Sequence, residues 1–333
     1  MKIFDSTLQD GERAAPNRLD PARKASIATS LEALGVDVID AGFPGASQHD
    51  REGTQAIAAA THDVELSVLA RHIPQDIEAA WEAVRKQIDR VRLATWVMPC
   101  ELHSGHQNDP HVHRRIMELS RQAVSRGRSL FPIVQYYLVC SGDRDIDFLI
   151  DLAREVVYAG ADCVTIADSM SSMNPEQTAA LTSDIRAALP AEVELSVRCH
   201  NNMGLALSNS VAAVHAGADQ VEVTVGGIGD AGGNAALEQV LAYADCFEKQ
   251  NPRFANNCQL QQLHEVAAEL FQQTNSQYGS AQPRIAADTN APTPDIRHSL
   301  TQSIRCSTLS PNRIGRLRNC GVESYSGVPR ICK

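Results

Sequence analysis

The chain has 333 residues, 43% of them hydrophobic, and a formal net charge of -10 at pH 7. That length can bury a large core, the acidic balance argues against a nucleic-acid or anionic-membrane surface, and no apolar run approaches the roughly 20 residues of a membrane span. The nine cysteines show no paired spacing, and the N-terminus enters a strand-like run without a basic and apolar leader, so a reducing, cytoplasmic setting is the expectation.

Apolar strand-like runs alternate with helical patterns along the chain. The strand-like runs fall at 2–4, 36–41, 65–70, 90–95, 132–139, 163–167, 194–199 and 220–225. This alternation predicts a TIM (β/α)8 barrel, a fold that takes about 250 residues. The helices between them carry start and stop signals. Asp20 precedes Pro21 as an N-cap, and Gly35 closes the same helix behind the stripe Ile27, Leu31 and Leu34. Ile77, Trp81, Val84 and Ile88 form the next stripe, and Phe148, Leu152 and Val156 another. Asn174-Pro175-Glu176-Gln177 reads as a capped start before Leu181, Ile185 and Leu189. The organisation changes near residue 250. Residues 259–273 read as one more helix, and beyond 275 Ser, Asn, Pro, Thr and Arg dominate, with a loop or linker expected over 279–294. The division is therefore a barrel domain over 1–250 and a short C-terminal extension over 251–333, helix then loop-rich. Cys306, Cys320 and Cys332 are too widely spaced for a usual zinc motif and read as ordinary thiols.

Three segments place polar side chains at the C-terminal ends of strands. The first is Asp5-Ser6-Thr7-Leu8-Gln9-Asp10-Gly11-Glu12, and the second is Arg198-Cys199-His200-Asn201-Asn202-Met203-Gly204. The third is the glycine-rich run from Gly226 through Asn234 to Glu238. Asp10, His200 and Asn234 thereby arrive at one end of a parallel barrel, an arrangement that suits a divalent metal. Arg71, Thr95, His103, Asp168 and Ser169 lie at or just past other strand ends. Glu222 and Thr224 alternate with apolar residues on the last strand and point inward, either as site residues or as a buried structural acid and its partner. His103 sits among His106, His111 and His113, whose irregular spacing favours a solvated loop over a second metal site. The glycine-rich run suits either a phosphate cradle or a tight turn.

These segments make the chain resemble 2-isopropylmalate synthase and homocitrate synthase and, more distantly, the HMG-CoA lyases, all metal-dependent TIM barrels of the DRE-TIM superfamily. The resemblance runs from residue 2 to about residue 248. It implies a Claisen-type condensation of an acyl-CoA, acetyl-CoA first, with a 2-oxo acid, and a homodimer. It also implies a divalent ion, Mg, Mn or Zn, held by Asp10 and His200 with Asn234 assisting and acting on the 2-oxo acid as a Lewis acid.

The chain departs from the family pattern at several positions. Gln9 stands where the family has an arginine. Arg198 stands where it has a metal-binding histidine, and an arginine cannot be a ligand, so weak metal binding is expected. One reading is compensation, with Arg198 restoring the cation lost at position 9 and gripping a substrate carboxylate while Gln9 orients substrate. The other is drift in a protein that has left this chemistry. Asp40 replaces a glutamate, Arg71 matches the synthases, and the lyases' loop cysteine is missing. Gln9, Asp40, Arg198 and Glu222 are the catalytic candidates. Arg71, Thr95, His103, Asp168, Ser169 and Thr224 are the substrate-binding ones. The alternatives are a carbon–carbon lyase or aldolase on related enolate chemistry, and a metal-free relative that only binds a small acid.

Overall fold

A computed structural model describes residues 1–15, 18–98, 109–140 and 145–275. Eight parallel strands close into a barrel in chain order. They are β1 (Lys2–Asp5), β2 (Val38–Asp40), β3 (Glu65–Arg71), β4 (Val91–Trp96), β5 (Ile133–Cys140), β6 (Cys163–Asp168), β7 (Glu194–Cys199) and β8 (Gln220–Val223). β8 returns to pair with β1, with Phe4 opposite Glu222. The expected strands agree with these to within about two residues at each end. The helices are α1 (Pro21–Leu34), α2 (Gln48–Ala60), α3 (Pro74–Val84), α4 (Pro110–Arg128), α5 (Ile146–Tyr158), α6 (Pro175–Ala188), α7 (Ala206–Ala216), α8 (Leu237–Phe247) and α9 (Leu263–Thr274).

Local chemistry explains why the elements start and stop where they do. The Asp20 carboxylate accepts the Arg23 N–H at 2.9 Å, Pro21 opens α1, and Gly35 ends it at φ 92°, a conformation that a Cβ would strain. Asn174 and Gln177 form a reciprocal capping box at the start of α6. Strand alternation then sorts the side chains. Val91, Leu93, Val134, Leu138, Val164 and Ile166 pack outward against the helices. Ala94, Tyr137 and Ala167 form a small apolar layer inside the barrel. Both faces of each strand are therefore buried, as a parallel barrel requires.

The described part of the extension is built onto the barrel. Leu263, Val266 and Leu270 of α9 join the core formed by Ile27, Leu31 and Leu34 of α1. Ser26 and Ser30 donate to Glu269 at 2.5 and 2.6 Å. The loop expected over 279–294 and the cysteines at 306, 320 and 332 lie outside the described residues. Among the described residues, no helix is long and apolar enough to cross a membrane.

Candidate active site at the barrel mouth

After β1 the chain makes a wide π-type turn over Thr7–Gly11, with the Asp10 and Gly11 N–H groups both donating to the Ser6 carbonyl. That turn aims Asp10 back over the open end of the barrel. One Asp10 oxygen lies 3.1 Å from an Arg198 guanidinium nitrogen, and the other accepts the Asn234 side-chain amide at 2.6 Å. Gly229 makes this approach possible. At φ 150° it brings its backbone so close that a Cβ would sit 2.2 Å from the Asn234 amide nitrogen and 2.5 Å from Asp10. Burial pushes the Asp10 carboxyl upward, but Arg198, the Asn234 hydrogen bond and His200 together hold it below the usual carboxylate range.

Arg198 sits at the last inward-facing position of β7, 9% exposed, opposite Glu222 on β8. Its second amino nitrogen lies 3.9 Å from a Glu222 carboxylate oxygen. Glu222 is fully buried and takes hydrogen bonds from Gln135, Tyr137, Thr165 and Ser196 at 2.9 to 3.2 Å. Burial dominates and raises its pKa against the pull of Arg198 and those donors. Sequence reasoning found Glu222 but missed this shell of donors. The signal was present as Gln135 and Tyr137, polar atoms two residues apart in the otherwise apolar β5.

Asp40 is fully buried, with one oxygen accepting the Gly42 N–H at 3.1 Å. Burial raises its pKa to about 7, opposed by Arg198 and the Gly42 bond. Among the described residues, the other Asp40 oxygen, the Ser67 hydroxyl beside it on β3 and the Arg198 Nε–H have no hydrogen-bond partner. Three unpartnered polar atoms in one barrel interior are unusual, because each costs desolvation unless a ligand or water meets it. Gln9 is buried at the edge of the same mouth, in the wall of a 370 Å³ cavity shared with Leu8, Arg13, Gly42 and Phe43.

The His200 ring Nδ1 lies 3.0 Å from the Asp230 carbonyl, so in the neutral ring the proton sits on Nδ1 and Nε2 carries the lone pair. A divalent ion on Asp10, His200 and Asn234 does not fit this geometry. Both Asp10 oxygens are engaged, the nearest neighbour of one is a fixed cation, and the Asn234 amide nitrogen donates to Asp10 and to the Ile228 carbonyl. Among the described residues no three His, Cys, Asp or Glu side chains cluster as ligands.

The remaining candidates divide by location. The Asp168 carboxylate caps the turn after β6 by accepting from the Ser172 and Met173 amides and the Ser172 hydroxyl. Ser169 follows it, half-buried. The Thr224 hydroxyl donates to the Ile228 carbonyl at 2.6 Å and pins the glycine loop. Arg71 makes a two-point pair with Asp76 at 2.6 and 3.3 Å and lies over the Phe43 ring. Thr95 alternates with inward-facing Ala94 and carries an unpartnered hydroxyl. His103 and His106 lie outside the described residues. His111 and His113 belong to α4 rather than to a loop, with His113 stacked on Phe148.

The two ends of the glycine loop spend their amides internally. Gly226 N–H donates to Glu238, Gly227 to Thr224, Gly233 to Asp230 and Asn234 to Gly227. That is tight-turn geometry and leaves these groups unavailable as a phosphate cradle. Asp5, Thr7 and Glu238 brace the loop from behind. Thr7 donates to Asp5 and accepts from Val225, and burial raises both carboxyls to about 7.

The fold and the mouth together define a TIM barrel whose polar groups converge at the C-terminal ends of its strands. The HMGL-like family model matches residues 1–270, and the chain belongs to that family. It is 37% identical over 241 residues to 2-isopropylmalate synthase of Syntrophus aciditrophicus and 35% identical over 242 residues to that of Bacillus pumilus. Each match covers 72% of this chain and 46% of the relative, so the chain spans about half the length of these curated relatives. Hydroxymethylglutaryl-CoA lyase of Pseudomonas aeruginosa superposes with a TM-score of 0.69 at 20% identity, covering 84% of this chain and 95% of that one. At that identity the likeness speaks for the fold alone.

Proposed function

We propose that the barrel catalyses a Claisen-type condensation between an acyl-CoA, acetyl-CoA first, and a 2-oxo acid. The carrying observation is the Arg198–Asp10 pair beside Asp40 at the barrel mouth. Family membership and the 2-isopropylmalate synthase relatives support the reaction class. Chemistry of this kind needs a base for the acyl methyl group and a positive charge where the oxo oxygen gains negative charge. Asp40 is the base in this reading. Its pKa of about 7 matches a neutral working pH, where a base is both deprotonated and able to hold a proton. Arg198 supplies the charge. Asp10 holds the guanidinium in place, and His200 presents Nε2 to the space above it. Gln9 and Arg71 line the approach for the acidic substrate.

The test is thiol release from acetyl-CoA across a panel of 2-oxo acids. Turnover that falls at least about a hundredfold in Asp10→Asn, with the fold retained by near-ultraviolet circular dichroism, is the expected result. Wild-type protein that cleaves a 3-hydroxy acid instead would move the assignment to a lyase. Protein that binds a 2-oxo acid without releasing thiol would move it to a binding protein.

A further inference from the structure

We propose that Arg198 takes the place of the divalent ion, so that this mouth binds the carboxylate and oxo group of its substrate without metal. The proposal rests on the reading that the substrate is a 2-oxo acid. A chelated dication would do two things in such a site: neutralise the Asp10 carboxylate and offer a positive centre to the substrate oxygens. Arg198 does the first at 3.1 Å. It also retains donors for the second. A guanidinium has five N–H bonds in a planar fork, yet among the described residues its ion-pair partners are Asp10 at 3.1 Å and Glu222 at 3.9 Å, and Nε is unpartnered.

The surroundings favour an anion arriving at that fork. Arg198 stays charged because the Asp10 carboxylate first, with Glu222 and Asp40 behind it, outweighs the cost of burial. The Asp10–Arg198 pair is neutral, and burial pushes both Asp40, to about 7, and Glu222 toward their protonated forms, which limits the negative charge an incoming anion meets. The Ser67 hydroxyl and the free Asp40 oxygen are further polar groups of the barrel interior left unpartnered among the described residues. A planar carboxylate that met the guanidinium two-point would satisfy Nε, and the adjacent oxo oxygen, held beside the same positive charge, would find the Ser67 hydroxyl. The planar match is the reason an arginine, rather than a lysine, serves here.

Calorimetry with pyruvate as the minimal 2-oxo acid tests the inference separately from catalysis. Protein dialysed against EDTA should bind pyruvate, and added Mn²⁺ should change the affinity less than twofold. Arg198→Lys should weaken binding at least tenfold by losing the fork while keeping the charge. Arg198→His should lose binding in EDTA and regain it with Mn²⁺, because an imidazole beside Asp10 and His200 rebuilds a ligand set. Pyruvate binding by the wild type that requires Mn²⁺ overturns the inference. So does an unchanged affinity in Arg198→Lys, or no pyruvate binding with or without the ion. Thiol release is a separate readout: its absence beside metal-free pyruvate binding would sink the condensation and leave Arg198 as the anion site.

Discussion

Two buried arginines stand at opposite ends of the same barrel, and they are partnered differently. Arg92, at the N-terminal end of β4, is 1% exposed and meets four side-chain acceptors. Glu65, Glu194, Gln135 and Gln220 all accept from it, and Lys2 joins Glu194 from the rim. Arg198, at the C-terminal end of β7, has one close carboxylate and an unpartnered Nε. Gln135 bridges the two ends, accepting from Arg92 and donating to Glu222. A buried charge needs full compensation to be tolerated as structure. Arg92 has it. Arg198 has carboxylates beside it too, but its Nε–H has no partner among the described residues, and a ligand at the mouth can supply the acceptor.

That contrast predicts different penalties. Arg92→Met should cost about 3–5 kcal/mol, because it strands two carboxylates and two amides that were arranged around one cation. Arg198→Met should cost less than half of that, since Glu222 keeps its four neutral donors, while pyruvate binding should disappear. Chemical denaturation of both variants beside the wild type settles the order, and a larger loss from Arg198→Met would reverse the assignment of the two ends.

Gly229→Ala sharpens the point at the mouth. The new Cβ would drive apart Asn234 and Asp10 and occupy a backbone conformation that favours glycine, at a cost of roughly 1–3 kcal/mol. Thiol release should fall at least tenfold with the core intact by near-ultraviolet circular dichroism. Activity unchanged in this variant would show that the Asp10–Asn234 bond does not matter.

A smaller effect appears in pH dependence. Asp5 and Glu238 are raised by burial to about 7, so each holds its proton more tightly in the folded chain than in the unfolded one. Their contribution to stability is whole below about 4 and fades as pH rises through 7. Urea midpoints should therefore fall across that window, and Asp5→Asn should flatten the slope. Asp10 runs the other way: its depressed pKa gives stability present above about 4 and lost below it. The smallest change is expected for Arg71→Ala. Its pair with Asp76 is 40% exposed on the arginine side, which limits its worth to about 1 kcal/mol or less. Its effect should show as a raised KM for the acidic substrate, and a KM identical to wild type would remove Arg71 from the site.

The barrel was legible in the sequence because strand and helix periodicities are local, and Asp20, Pro21 and Gly35 mark their boundaries within a few residues. Asp10, Arg198, Glu222, His200 and Asn234 were legible as a group because each follows or ends a strand, and a parallel barrel brings all such ends to one face. Their pairing was not legible. Whether Arg198 meets a carboxylate on β1, an acid on β8 or neither depends on barrel closure and on the turn that folds Asp10 back over the opening. The same holds for Asp40, whose raised pKa comes from burial in the interior that barrel closure creates, and for the glycine run, whose terminal amides bond within the loop. Sequence by itself determined which end of the barrel gathers these polar side chains, since side-chain alternation and strand direction are written residue by residue. Only the tertiary structure decided that the positive charge at that end is a guanidinium held by Asp10, because charge compensation is settled by distances across the barrel and not by position along the chain.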